Sequence, residues 1–90
     1  MKLLLVEDEP KLATFVSKGF RHEGYELDVA YDGQMGLSMV RQQPYDLVIL
    51  DVNLPHINGF ELCRLIRADY PRLPVLLLTA LDSLDDKVTG

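Results

Sequence analysis

Three short apolar runs in this 90-residue chain each end in side chains that can carry chemistry. Leu3-Leu4-Leu5-Val6 opens onto Glu7-Asp8-Glu9, Leu47-Val48-Ile49-Leu50 onto Asp51-Val52-Asn53, and Val75-Leu76-Leu77-Leu78 onto Thr79-Ala80. If the runs are neighbouring strands, Glu7, Asp8, Asp51 and Thr79 converge on one rim. Carboxylates gathered there repel: at an effective dielectric of ~20, a pair ~4 Å apart costs about 4 kcal/mol. A divalent cation removes that cost. An all-oxygen set with few protein ligands suits Mg²⁺, which keeps several waters and welcomes phosphate oxygens. Bridging a carboxylate and an incoming phosphoryl group, it neutralises the charge that transfer develops. An aspartate at a strand end can be the nucleophile of such a transfer, and the Thr79 hydroxyl can donate to a phosphoryl oxygen. Taken singly, each of these residues reads as a helix cap, a turn residue or a solvated loop position. Their fall at the same end of alternating strands is what sets a functional acidic site level with that plainer reading.

The elements that would position them alternate in kind. Continuous apolar runs suit strands covered on both faces of a parallel sheet. Between them lie amphipathic stretches. Leu12, Phe15, Val16 and Phe20 recur at helical spacing after Pro10, a good first-turn residue, and Gly24 stops that helix. Leu27 and Val29 alternate with Glu26 and Asp28, as in a half-exposed edge strand. Asp32 can cap a second helix carrying Leu37 and Val40. Asn58 with Glu61 forms a capping-box pattern for a third, whose inward face is Gly59, Leu62, Cys63 and Ile66. Asp82 or Ser83 can cap a fourth. The spacing predicts strands over 2–6, 26–30, 46–50 and 74–78, and helices over 10–23, 33–42, 59–69 and from 83 onward. Such alternation argues for a doubly wound α/β sheet with right-handed crossovers. Ligands in such sheets bind beyond the carboxyl ends of the strands, where these acids fall.

Composition narrows the function. Nine basic residues against fourteen acidic ones give a net charge of −5, which opposes nucleic-acid binding by this segment. No apolar run approaches the ~20 residues of a membrane helix, and nothing reads as a signal peptide. The single cysteine, Cys63, has no intrachain partner, so a reduced, cytoplasmic protein is expected. Cys63 reads as a small core residue, and Met35 and Met39 as packing residues. His56, in a loop after Pro55, reads as solvated, since His22 lies elsewhere and no paired spacing exists.

Leu5-Val6-Glu7-Asp8-Glu9, Asp46-Leu47-Val48-Ile49-Leu50-Asp51, Leu54-Pro55, Asn58-Gly59 and Leu78-Thr79-Ala80 together resemble the response-regulator receiver family. The order and spacing of these segments match along the whole chain. The resemblance implies a flavodoxin-like fold with strand order 2-1-3-4. It makes Asp51 the phosphoacceptor, served by a sensor histidine kinase in a Mg²⁺-dependent reaction. Asp8, Asp51 and the backbone carbonyl of Asn53 would hold the Mg²⁺, with Glu7 assisting, and Thr79 would be the switch hydroxyl. It implies a signalling domain with slow self-dephosphorylation rather than an enzyme. The stretch from Asp82 to Gly90 resembles the start of the fourth helix in regulators that carry a winged-helix DNA-binding output domain. The family's fifth strand, with its lysine and aromatic switch residue, and its fifth helix would lie beyond Gly90. Residues 1–90 are therefore expected to form a receiver domain incomplete at its C-terminal end, with the strand over 74–78 as an exposed edge and a tendency to self-associate.

Three other functions compete. An aspartyl phosphatase resembling the haloacid dehalogenase group needs a second acid two residues after its nucleophile, where this chain has Asn53. A flavin-binding protein of similar topology wants a phosphate-binding loop after the first strand, where Glu7-Asp8-Glu9 would repel a phosphate. A receiver lacking its last elements could act only as a binding or decoy module.

Overall fold

A computed structural model of the chain describes residues 1–78. They form β1 (Lys2–Val6), α1 (Pro10–His22), β2 (Glu26–Ala30), α2 (Gly33–Gln42), β3 (Leu47–Asp51), α3 (Gly59–Asp69) and β4 (Val75–Leu78). The sheet is parallel throughout, in the order β2-β1-β3-β4, which is the doubly wound arrangement expected. Thr79 and the expected fourth helix lie outside the described residues.

Alternate side chains of each strand feed one of two cores. Leu4, Val6, Val48 and Leu50 face α2 and α3, where they meet Val40, Leu62 and Ile66. Leu3, Leu5 and Ile49, with Leu27 of β2, face α1, where they meet Ala13. β1 lies between β2 and β3 and is covered on both faces, so Leu3 to Val6 are at most 1 % exposed. Burying a side chain of that size contributes about 1.5–3 kcal/mol.

Local signals fix where each helix begins. Glu9 caps α1 by accepting from the Lys11 amide, Asp32 caps α2 by accepting from Met35, and Asn58 caps α3 by accepting from Glu61. The capping box at α3 is half made, because Glu61 turns outward to pair with Arg64. Gly24 ends the first crossover at φ 93°, a conformation that strains side-chain-bearing residues. In α1 the buried stripe is centred on Ala13 and Ser17, while Phe15 is 75 % exposed. The apolar spacing alone could not distinguish Phe15 from its inward neighbours. β3 and β4 each begin one residue later than the apolar pattern suggested, so Asp51 closes its strand rather than following it. Asp28 is half-buried rather than solvated. It accepts from the Tyr45 hydroxyl at 2.7 Å and pairs with Lys2 at 3.7 Å, a polar cluster at the sheet end remote from the acids. Burial of Tyr45, then the hydrogen bond to Asp28 and the charge of that carboxylate, raise the Tyr45 hydroxyl pKa.

Candidate functional site

Parallel register aligns the strand ends. Val6 pairs with Ala30 on one side and Leu50 on the other, and Asp51 with Leu78. The ladder runs one residue further on each of two strands: the Glu7 amide donates to Ala30 O at 2.9 Å, and the Val52 amide to Leu78 O at 3.1 Å. Glu7, Asp8 and Asp51 are thereby brought to one rim, and each offers a carboxylate oxygen within 4.8 Å of the others'. The cluster grades from a buried Glu7, 2 % exposed, through a half-buried Asp51 to an exposed Asp8.

Each acid is held differently. Glu7 accepts from the Glu9 amide at 3.1 Å, and Asp51 accepts from the Asn53 amide at 3.1 Å, two residues along the chain. Burial pushes the Glu7 carboxyl up to about 7; the Glu9 amide opposes this, while the charge of Asp51 and hydrogen bonds with Asp8 and Asp51 reinforce it. Burial is the larger part of that shift, and the Asp51 charge adds to it in the same direction. Three converging carboxylates of graded exposure therefore fit a hard divalent cation that keeps some of its water. Glu9, the third acid of the run, behaves as the plainer reading has it: its side chain caps α1. Asn53 follows Asp51 in the loop to α3 and has an exposed side chain. Thr79 lies outside the described residues.

The loop from Val52 to Asn58 contributes two features that sequence spacing did not single out. His56 adopts φ 68°, and the Ile57 amide reaches back to Pro55 O at 2.7 Å, closing a γ-turn. Gly59, assigned to the inward face of α3, is buried there with Leu62 and Ile66, and it abuts the backbone of Asp51 and Val52. A glycine directly after an N-cap was the available signal. His56 is exposed, and Cys63 is half-buried against the core. No helix among the described residues is long and apolar enough to cross a membrane.

The family model for the response regulator receiver domain matches residues 3–90. The response regulator ArlR of Staphylococcus saprophyticus is 45 % identical over 89 residues, which are 99 % of this chain and 40 % of that protein. "Probable transcriptional regulatory protein TcrX" of Mycobacterium tuberculosis is 43 % identical over 88 residues, 98 % of this chain and 38 % of its own. The chain thus spans about two-fifths of the curated relatives it matches. Among solved structures, the response regulator TrrA of Thermotoga maritima in complex with Mg²⁺ and BeF superposes with a TM-score of 0.86. It is 38 % identical, over 88 % of this chain and 69 % of that one. TrrA in complex with the histidine kinase ThkA gives a TM-score of 0.84 at the same identity, over 88 % of this chain and 68 % of that one.

Proposed function

The chain belongs to the response regulator receiver domain family, and from that premise we propose that Asp51 accepts a phosphoryl group from a sensor histidine kinase in a Mg²⁺-dependent reaction. The observation that carries this reading is the convergence of Glu7, Asp8 and Asp51, with Asp51 at the strand end and its carboxylate steadied by the Asn53 amide. One Asp51 oxygen attacks phosphorus, the bond from phosphorus to the donor's nitrogen breaks, and the donor imidazole keeps that electron pair and takes a proton. Asp8, Asp51 and the Asn53 carbonyl would hold the Mg²⁺, with Glu7 in support, and Thr79 would donate its hydroxyl to the transferred group. Mg²⁺ supplies neutralisation of the charge on the transferring oxygens. Glu7 and Asp8 would fix the cation's place, and the Asn53 amide holds the Asp51 carboxylate at 3.1 Å.

The domain is read as a phosphoacceptor with slow self-dephosphorylation, not an enzyme. It controls an output domain in a cytoplasmic transcription regulator, a winged-helix DNA-binding one by the resemblance of its last residues. The acidic segment itself takes no nucleic acid. Incubation with Mg²⁺ and acetyl phosphate, followed by intact-mass measurement, tests this. One phosphoryl adduct that decays slowly, absent without Mg²⁺ and absent in Asp51→Asn, is expected. Turnover of many donors would indicate a phosphatase, no adduct a binding module, and an undiminished adduct on Asp51→Asn another acceptor.

A further inference from the structure

Gly59 lies outside the carboxylate cluster but touches the backbone that carries its third member. It is the first residue of α3, buried, and its amide donates to Val52 O at 3.1 Å. A Cβ placed there would stand 2.7 Å from Val52 Cα, 2.9 Å from the Asp51 carbonyl carbon and nearer still to its oxygen. All three are backbone atoms, so no side-chain end can swing aside. The other described glycines differ. Gly33 and Gly36 would meet only side chains of Ile57, Leu62 and Val6, and Gly19 and Gly24 would meet nothing within 4 Å. Since φ at Gly59 is outside the positive range, space rather than conformation demands glycine. On the opposite side the Val52 amide donates to Leu78 O. The Asp51–Val52 segment is therefore clasped between β4 and the first turn of α3.

We propose that Gly59 is a positioning residue. Its missing side chain lets α3 press on the Asp51–Val52 segment and so sets how far the Asp51 carboxylate and the Asn53 backbone stand from Glu7 and Asp8. The inference rests on Asp51 being the phosphoacceptor. A displacement near 1 Å is enough to cost about 100-fold in a reaction that depends on alignment.

The test compares wild type, Gly59→Ala and Ile66→Ala, each also in a Gly19→Ala background, where alanine favours an exposed helical position. Ile66 is fully buried on the same helix, and its truncation loosens packing without touching the Asp51–Val52 segment. Three quantities are measured on folded protein: metal-free amide exchange at Val52 and residue 59, Mg²⁺ affinity by NMR titration, and adduct formation with acetyl phosphate. Gly59→Ala should exchange faster at Val52 and lose about 10–100-fold in Mg²⁺ affinity and adduct rate. Ile66→Ala, at equal or lower thermal stability, should keep wild-type affinity and rate. Equal losses in both variants, or none in Gly59→Ala, would overturn the role. So would a Gly59→Ala chain that stays unfolded where Ile66→Ala folds, since the loss would then belong to the fold. If the wild type takes up neither Mg²⁺ nor a phosphoryl group, the reading of Asp51 falls and this inference falls with it. If it takes up both and Gly59→Ala matches it, only Gly59 loses its role.

Discussion

Burial gives Glu7 a proton affinity that links the site to the stability of the fold. In the unfolded chain its carboxyl titrates near 4.5, and in the folded protein it is pushed up to about 7. Between those values the folded state holds the extra proton. This contribution is therefore fully present below about 4.5 and lost as the pH rises through about 7. The shift corresponds to a penalty on the order of 3 kcal/mol at alkaline pH. Thermal unfolding of metal-free protein should show this contribution as a higher Tm at pH 5 than at pH 8, flattened in Glu7→Gln. An unchanged slope in that variant would remove Glu7 as the cause. Asp8 and Glu9 separate the site from mere acidity, since one joins the cluster and the other caps α1. Asp8→Asn should weaken Mg²⁺ binding and phosphorylation together, by about tenfold or more for a lost charged ligand. Glu9→Gln should change both little. Calorimetric titration of the two variants decides it, and equal losses would mean that only diffuse charge is being screened.

At the scale of the element, short-range chemistry starts each helix, which is why the helices were legible in the sequence. Asp32→Ala removes the oxygen that holds the Met35 amide at 2.7 Å and should cost about 1 kcal/mol. Gly24→Ala imposes a side chain on a left-handed residue and should cost about 1 kcal/mol or more. Urea unfolding measures both, and a loss in neither would deny these residues their part in placing α1 and α2. β1, β3 and β4 were legible because their runs are apolar on both faces, β2 because its apolar and acidic residues alternate, and the acids because they end the apolar runs. What stayed hidden depends on contacts between distant segments. Phe15 shares its spacing with inward residues. Asp28 looks solvated until Tyr45 and Lys2 reach it. The tightness at Gly59 exists only once α3 docks on β3. The positive φ of the γ-turn at His56 was illegible for another reason, because even the residue types enriched there adopt it in a small minority of cases.

For the molecule as a whole, β4 matters most. It pairs with β3 alone among the described residues, and Leu76 on its α1-facing side is 49 % exposed. An apolar strand with no charge within Val75–Leu78 is a template for another chain. This 90-residue chain is therefore expected to self-associate with rising concentration, and Leu76→Lys should reduce that; light scattering after size exclusion measures it. A concentration-independent monomer would refute the expectation. The sheet order has a consequence for how the chain assembles in time. β1 is central yet is made first, and it must wait for β3, whose Leu47 pairs with Leu3. Glu7 and Asp8 sit on one partner of that late docking and Asp51 on the other. The repulsion between Asp51 and the other two thus arises only once β3 pairs with β1. A cation that needs all three ligands in place cannot bind before that moment. Mg²⁺ should accordingly leave the refolding rate nearly untouched and slow unfolding, as for interactions formed after the transition state. Stopped-flow measurement of both limbs, with and without the ion, would show whether the site is a clasp that closes last.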